Sequence, residues 1–241
     1  MAALGDSITR ATMTCSTLSG CPANSWATGD STTVNSHYLR LKALGAPVSS
    51  PSNLAVNGAT SRALFDQASS AAAQGAQYVT IEIGANDACT STVSAMTPTD
   101  EFRANLHAAI YALATSSSSP EIFVASVPNL LHLYELFKKN ATARATWTAL
   151  QICQSLLANP SSTKPADVQR RLAVQQRVNE YNTALHEVCA AVTQCRFDGF
   201  EVANYKFIKS EVSTRDYFHP SISGQAKLAS LTWQKTQWVS P

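Results

Sequence analysis

Two polar segments at opposite ends of the chain could together support nucleophilic chemistry. Near the start, a short apolar run ends in Gly5-Asp6-Ser7, so a hydroxyl follows directly after a predicted strand. Near the end, Asp216 precedes His219 by three residues. An aspartate at this spacing can accept a hydrogen bond from imidazole Nδ1, which leaves Nε2 able to take a proton from a serine. Each segment alone also fits an ordinary polar turn or a surface pair.

Two further polar turns follow predicted strands. Residues 53 to 56 lead into Asn57 and Gly58, and residues 78 to 83 lead into a segment that contains Asn86. Strands that alternate with helices predict a parallel sheet of the three-layer α/β type. Ligands bind such sheets beyond the carboxyl ends of the strands. Ser7, Gly58 and Asn86 are therefore expected to face one crevice.

The other elements complete this pattern. Strands are predicted at residues 1–4, 121–127 and from 195, and helices at residues 36–44, 61–74, 98–114, 166–193 and 221–238, with a long loop at 11–34. Neither an internal repeat nor a linker interrupts the chain, so a single domain over residues 1–241 is expected. Residues 129 to 165 do not follow this alternation of strands and helices. Their apolar side chains fit either a cap over the crevice or an ordinary pair of core helices, and Leu130, His132 and Tyr134 are candidates for lining a substrate site.

The four blocks in this order resemble the GDSL, or SGNH, hydrolases. The blocks are Gly-Asp-Ser at 5–7, Gly58, Gly-Ala-Asn-Asp at 84–87 and Asp-Tyr-Phe-His at 216–219, and Ile8 stands where the family name has leucine. The resemblance implies a flavodoxin-like fold with a central parallel sheet of five strands. It also implies an esterase or lipase that needs no cofactor or metal. A looser similarity links the segments around Trp26, Gly58 and Asn86 to phospholipase B and to secreted actinobacterial lipases.

The resemblance also implies a role for each site residue. Ser7 would be the nucleophile, His219 the base and then the acid, and Asp216 the residue that orients the imidazole. The oxyanion hole would consist of the backbone N–H groups of Ser7 and Gly58 with the side-chain amide of Asn86. A glycine at position 58 would let the backbone approach the intermediate without an obstructing Cβ.

Other titratable residues are expected to be structural. Asp6 and Asp87 are predicted to hold their turns by hydrogen bonds to nearby backbone. His37, His107 and His186 lie on predicted helices and are expected at the surface.

The six cysteines allow more than one interpretation. Cys15 with Cys21 and Cys189 with Cys195 would close short loops, which leaves Cys89 for Cys153 by elimination. Zinc binding is the second possibility, although the usual ligand spacings are missing. The third is six reduced thiols in the core. Bridges would favour an oxidising, extracellular setting, with any leader removed from this numbering.

Composition limits the class of protein. Hydrophobic residues make up 45% of the 241 residues and charged residues 14%, which is typical of a globular chain. The net charge of +2 argues against a nucleic-acid or anionic-membrane partner. No apolar stretch is long enough to span a bilayer, although transient contact with a lipid surface is compatible with a lipase.

The sequence therefore predicts a secreted serine hydrolase that cleaves carboxylic esters, with lipid or acyl esters favoured. It does not fix the oligomeric state, although a monomer is favoured. A carbohydrate acetylesterase is the alternative within the family. A binding module that has lost turnover is a third possibility.

Overall fold

Five parallel strands form the central sheet of the computed structural model, which describes residues 1–48 and 50–239. The strands are β1 (Ala2–Gly5), β2 (Ser52–Asn53), β3 (Tyr78–Glu82), β4 (Glu121–Val124) and β5 (Cys195–Phe197). Their order is β2-β1-β3-β4-β5, with every neighbouring pair parallel. This is the flavodoxin-like order, in which the direction of winding reverses between β1 and β3. The predicted α/β fold with five central strands is confirmed.

Helices cover both faces of the sheet. Those in the described residues are α1 (His37–Ala43), α2 (Leu64–Ala73), α3 (Ala85–Ala88), α4 (Thr99–Ala114), α5 (Leu130–Phe137), α6 (Ala141–Ala149), α7 (Gln154–Leu157), α8 (Pro165–Ala190), α9 (Glu201–Asn204) and α10 (Ile222–Trp233). Helices α2, α4 and α8 pack side by side. Helices α1 and α10 are joined by a hydrogen bond between His37 and Thr232. None of the helices described combines the length and the apolar character needed to cross a membrane.

Two predicted strands are shorter in the structure. After β2 the amides of Leu54 and Val56 still donate to carbonyls of β1, but without the reciprocal pairing of a strand. After β4 the backbone N–H and C=O of Val127 bond the side-chain amide of Asn182 at 2.7 and 3.1 Å. The chain therefore leaves the sheet before Val127, where the sequence predicts a strand through residue 127.

The prediction that His37 is at the surface is wrong. Its ring is fully buried among aromatic side chains, including Trp26 and Phe123. Nδ1 and Nε2 lie 2.8 Å from the hydroxyls of Tyr78 and Thr232. Thr232 Oγ1 donates to a helix carbonyl, so it accepts from His37 Nε2, and Nδ1 then accepts from Tyr78. Burial, and secondarily the charge of Arg40, lowers the pKa of His37 to about 3, so the ring is neutral. His107 and His186 are exposed, as predicted.

All six cysteines are paired as the spacing suggests. The bridges are Cys15–Cys21, Cys89–Cys153 and Cys189–Cys195. The second spans 64 positions and joins the residue after α3 to the residue before α7. It therefore connects the end of the β3 unit to the segment at 129–165.

Candidate active site

A continuous chain of hydrogen bonds joins Asp216, His219 and Ser7. His219 Nδ1 lies 2.5 Å from Asp216 Oδ2, and His219 Nε2 lies 2.7 Å from Ser7 Oγ. The Asp216 carboxylate is a pure acceptor when ionised, so Nδ1 carries the proton and Nε2 accepts from the serine hydroxyl. Asp216 is 1% exposed and Ser7 8% exposed. The arrangement allows proton transfer from Ser7 to an imidazole whose orientation is fixed.

The loop that carries Asp216 and His219 is held by local hydrogen bonds and by one contact with a helix. Asp216 Oδ1 accepts from the backbone amides of Phe218 and His219 at 3.0 and 3.1 Å, which closes a tight turn around the carboxylate. The carbonyl of His219 accepts from the amide of Ser213 at 2.8 Å. Trp147 Nε1, from helix α6, donates to the carbonyl of Tyr217 at 3.1 Å. The hydrogen bond from Trp147 connects the loop to α6.

Ser7 stands where the strand order reverses, at the carboxyl end of β1. Gly5 allows the chain to leave the strand there, because its φ is +141° and a Cβ would lie 2.2 Å from the carbonyl oxygen of Glu82. The Gln67 side chain holds Gly5 by donating to its carbonyl at 3.0 Å and accepting from its amide at 2.7 Å. The nucleophile candidate therefore follows a segment fixed by both the sheet and helix α2.

Asn86 and Gly58 line the same pocket as Ser7 and His219. No acceptor within residues 1–48 and 50–239 takes the amide hydrogens of Ser7 or Gly58. Asn86 Nδ2 donates to the carbonyl of Ala59 at 3.0 Å and, more weakly, to a carboxylate oxygen of Asp6 at 3.4 Å. Two unpaired backbone donors and one loosely held side-chain donor thus lie at the pocket.

The structure adds a reason for glycine at position 58. A Cβ on Gly58 would meet nothing within 4 Å, so no protein atom excludes a side chain. The residue has a φ of +78°, which lies in the left-handed region that L residues rarely adopt. Backbone conformation therefore favours glycine here, and the room that glycine would leave for a reaction intermediate stays a prediction.

The two aspartates beside the site are buried and differ in their partners. Asp6 Oδ1 accepts from the amide of Ile8 at 2.8 Å, in the local turn that the sequence predicts. Burial raises the pKa of Asp6 to about 7, against the opposing effects of that hydrogen bond and of His219. Asp87 instead reaches a distant segment, since it accepts from the amide and hydroxyl of Ser61 at 2.9 and 2.7 Å. Burial raises its pKa as well.

An apolar cavity of ≈ 50 Å³ lies beside the Ser7 pocket. Leu130 and His132 both line it, together with Phe218, whose side chain also lines the Ser7 pocket. His132 Nε2 lies 2.8 Å from the carbonyl oxygen of Phe207, so this nitrogen is hydrogen-bonded to the backbone. The structure places Tyr134 elsewhere: its hydroxyl donates to Pro160 at 3.0 Å, and its ring lines a different pocket.

The Ser7 pocket also has lining residues that were not predicted as site residues, among them Thr12, Asn57, Ile152 and Phe218. Phe218 lies between Asp216 and His219 in the sequence, so its position next to the site could be predicted. Thr12 and Asn57 line the Ser7 pocket and are joined by a hydrogen bond of 2.7 Å between Thr12 Oγ1 and Asn57 Oδ1. Thr12 lies in a long loop without periodicity, so nothing local predicted its position. In the part of the chain that the structure describes, no group of three or more His, Cys, Asp or Glu side chains is placed to hold a metal ion.

The pocket lies at the carboxyl ends of parallel strands, where the strand order reverses, which is where α/β sheets bind ligands. The family model described as GDSL-like Lipase/Acylhydrolase matches residues 1–232, and the chain belongs to this family. The protein is accordingly a carboxylic ester hydrolase.

Solved structures of similar fold include esterases and lipases. An extracellular lipase from Streptomyces rimosus and a phospholipase A1 from Streptomyces albidoflavus each have a TM-score of 0.54 and 15% identity, over 98% of both chains. An esterase, EstA, from Pseudoalteromonas has a TM-score of 0.54 and 13% identity, over 97% of this chain and 94% of its own. At these identities the likeness is one of fold. No curated protein sequence matches the chain.

Proposed function

We propose that Ser7 is the nucleophile of this ester hydrolase and that the reaction passes through an acyl-enzyme. The hydrogen-bonded chain from Asp216 through His219 to Ser7 carries the proposal. As Ser7 Oγ bonds to the ester carbon, its proton moves to His219 Nε2. The tetrahedral intermediate then expels the alcohol, which takes that proton. Water attacks the acyl-enzyme in the same way, and the carboxylic acid leaves.

The backbone amides of Ser7 and Gly58 and the side chain of Asn86 stabilise the oxyanion in this proposal. Two unpaired amide hydrogens at the pocket support it. Asn86 contributes by giving up its 3.4 Å contact with Asp6, which is the longer of its two hydrogen bonds. Loss of one donor of this kind typically lowers turnover about 100-fold to 1,000-fold.

Acyl esters, including lipid esters, are the proposed substrates. The apolar cavity beside Ser7 supports this choice, since Leu130, Leu133 and Leu136 contribute to its wall. Its small volume suits the first carbons of an acyl chain, and a longer chain would extend past α5. We further propose that residues 129 to 165 act as a cap within a single monomeric domain. Three disulfides support an extracellular location.

Hydrolysis of p-nitrophenyl esters tests the assignment of the nucleophile and base. Ser7→Ala and His219→Ala are each expected to abolish turnover while the circular dichroism spectrum stays unchanged. Full activity in either folded variant would refute the assignment.

A chain-length series from acetyl to palmitoyl esters tests the acyl cavity. Leu136→Trp fills the cavity and is expected to lower kcat/KM for longer acyl chains while acetate hydrolysis is retained. The matched control is Leu44→Trp, because Leu44 is 61% exposed and lies on the α1 side. An unchanged chain-length profile in Leu136→Trp would contradict the cavity's role. Strong preference for acetylated sugars over acyl and phospholipid substrates would instead favour the carbohydrate acetylesterase.

A further inference from the structure

A second pocket lies on the side of α5 that faces away from the acyl cavity. Its volume is ≈ 690 Å³, and α5, α6, the segment at 160–163 and the first turns of α8 surround it. We call it the α5–α8 pocket. Leu131 and Tyr134 of α5 face it, whereas Leu130 and Leu133 face the acyl cavity. The reaction proposed above uses none of the residues that line it.

Positive charge is concentrated in the α5–α8 pocket. The ionisable side chains that line it are Lys138, Lys139, Arg144, Arg171 and Glu135. Four cations and one carboxylate give a local charge of +3, whereas the whole chain has +2. Lys138 forms an ion pair with Glu135. Within residues 1–48 and 50–239, no carboxylate forms an ion pair with the other three cations.

Arg171 is the most unusual of these cations because it is 4% exposed. Its guanidinium carbon lies 4.6 Å from the centre of the Tyr134 ring, and Nη2 donates to the carbonyl of Ser162 at 2.6 Å. Nη1 is buried and has no acceptor among the described residues. A buried cation without a counter-charge is costly. An anion in the pocket would supply the charge that the protein does not.

Apolar side chains adjoin this charge. Val168 and Leu172 lie four positions apart on α8, are 37% and 46% exposed, and line the same pocket as Arg171. Residues four apart share one face of a helix. A ligand that fits both features carries an anionic group next to an apolar chain. Arginine and lysine together favour a phosphate group, which offers several acceptor oxygens.

We propose that the α5–α8 pocket binds the phosphate headgroup of an anionic phospholipid, with Lys139, Arg144 and Arg171 around the phosphate and the lipid chain along Val168 and Leu172. The near-zero net charge of the whole chain argued against an anionic-membrane partner. A total charge, however, does not show where the charged side chains cluster. Binding at this pocket is independent of turnover at Ser7, since α5 separates the pocket from the acyl cavity.

Vesicle binding at low ionic strength tests the proposal. The full chain is mixed with vesicles of ether-linked phosphatidylcholine, with or without ether-linked phosphatidylglycerol, because an ester hydrolase cannot cleave the ether bonds. Lys139→Gln/Arg144→Gln removes two cations that have no carboxylate partner. Lys42→Gln/Lys227→Gln removes the same charge from α1 and α10 and serves as the control. Inorganic phosphate is titrated separately, and thermal melts confirm that all variants fold.

We expect the parent chain to prefer the vesicles that contain phosphatidylglycerol. The pocket variant should bind these vesicles about 30-fold more weakly, because each basic residue near an anionic lipid surface typically contributes about 1 kcal/mol. The control variant should stay within about twofold of the parent. Equal losses in the two variants would overturn the site. Binding of inorganic phosphate without preference for phosphatidylglycerol would overturn the lipid as its source.

Discussion

The buried imidazole of His37 makes a defined contribution to the pH dependence of stability. Its pKa is about 3 in the folded protein, mainly because of burial, whereas an unfolded histidine has a pKa of about 6.5. The unfolded chain therefore binds an extra proton between these values. The contribution of His37 to the free energy of unfolding is complete above about pH 6.5 and is lost as the pH falls towards 3. The difference between the folded and unfolded pKa of His37 lowers the free energy of unfolding by about 3 kcal/mol between pH 8 and pH 4.

Replacing His37 with glutamine removes this titration and keeps groups that can bond the hydroxyls of Tyr78 and Thr232. Urea unfolding at pH 8 and at pH 4 gives the free energy of unfolding of both proteins at both values. The variant is expected to be less stable at pH 8, because its packing is poorer, but to lose about 3 kcal/mol less on acidification. His107→Gln is the control for the replacement of a histidine by glutamine, since His107 is exposed.

Buried carboxyl groups act in the opposite direction and are present in both proteins. Burial raises the pKa values of Asp6, Glu82, Asp87 and Asp198, so the folded state holds their protons more tightly and acidification favours folding. The difference between the pH dependence of the parent and that of His37→Gln therefore does not contain the contribution of the buried carboxyl groups. If His37→Gln loses as much stability as the parent between pH 8 and pH 4, the buried neutral imidazole is not the source.

Two further predictions concern the oxyanion donor and the disulfides. Asn86→Ala should lower kcat for a p-nitrophenyl ester about 100-fold to 1,000-fold with little change in KM; a change in KM alone would contradict its role. Removal of the Cys89–Cys153 bridge by paired serine substitutions should lower the free energy of unfolding about 2 kcal/mol more than removal of Cys189–Cys195. The two bridges span 64 and 6 positions, and the longer loop restricts the unfolded chain more. Equal losses in urea unfolding would show that chain entropy does not set the difference.

The fold and the placement of the candidate site were predictable because both depend on local signals. Ser7 and Asn86 each follow a strand directly, and parallel strands bring their carboxyl ends to one edge of a sheet. Asp216 and His219 lie in one short turn, so their proximity needed no long-range information. The sequence also carries a signal for the burial of His37, which precedes the buried Leu41 by four positions, the spacing of one helix face.

Other features depend on tertiary packing and carried no such signal. Leu130 and Tyr134 are four apart on α5, and both are buried, yet they face different pockets. A helix packed on two sides cannot be oriented from periodicity alone. The loop at 11–34 likewise gave no indication that Thr12 would reach Asn57, because the pairing depends on where two loops meet over the sheet.

The Ser7 and His219 halves of the candidate site are anchored with unequal strength. Ser7 follows β1, which pairs with a strand on each side, whereas His219 lies in a loop joined to the core through Trp147 and the start of α10. Native proteins open in cooperative units of different stability, and loops open at a lower free energy than central strands. Moderate denaturant should therefore separate the histidine from the serine before the sheet unfolds. With the roles proposed for Ser7 and His219, such a partly opened molecule would be inactive but able to recover on dilution, because its central sheet is still formed.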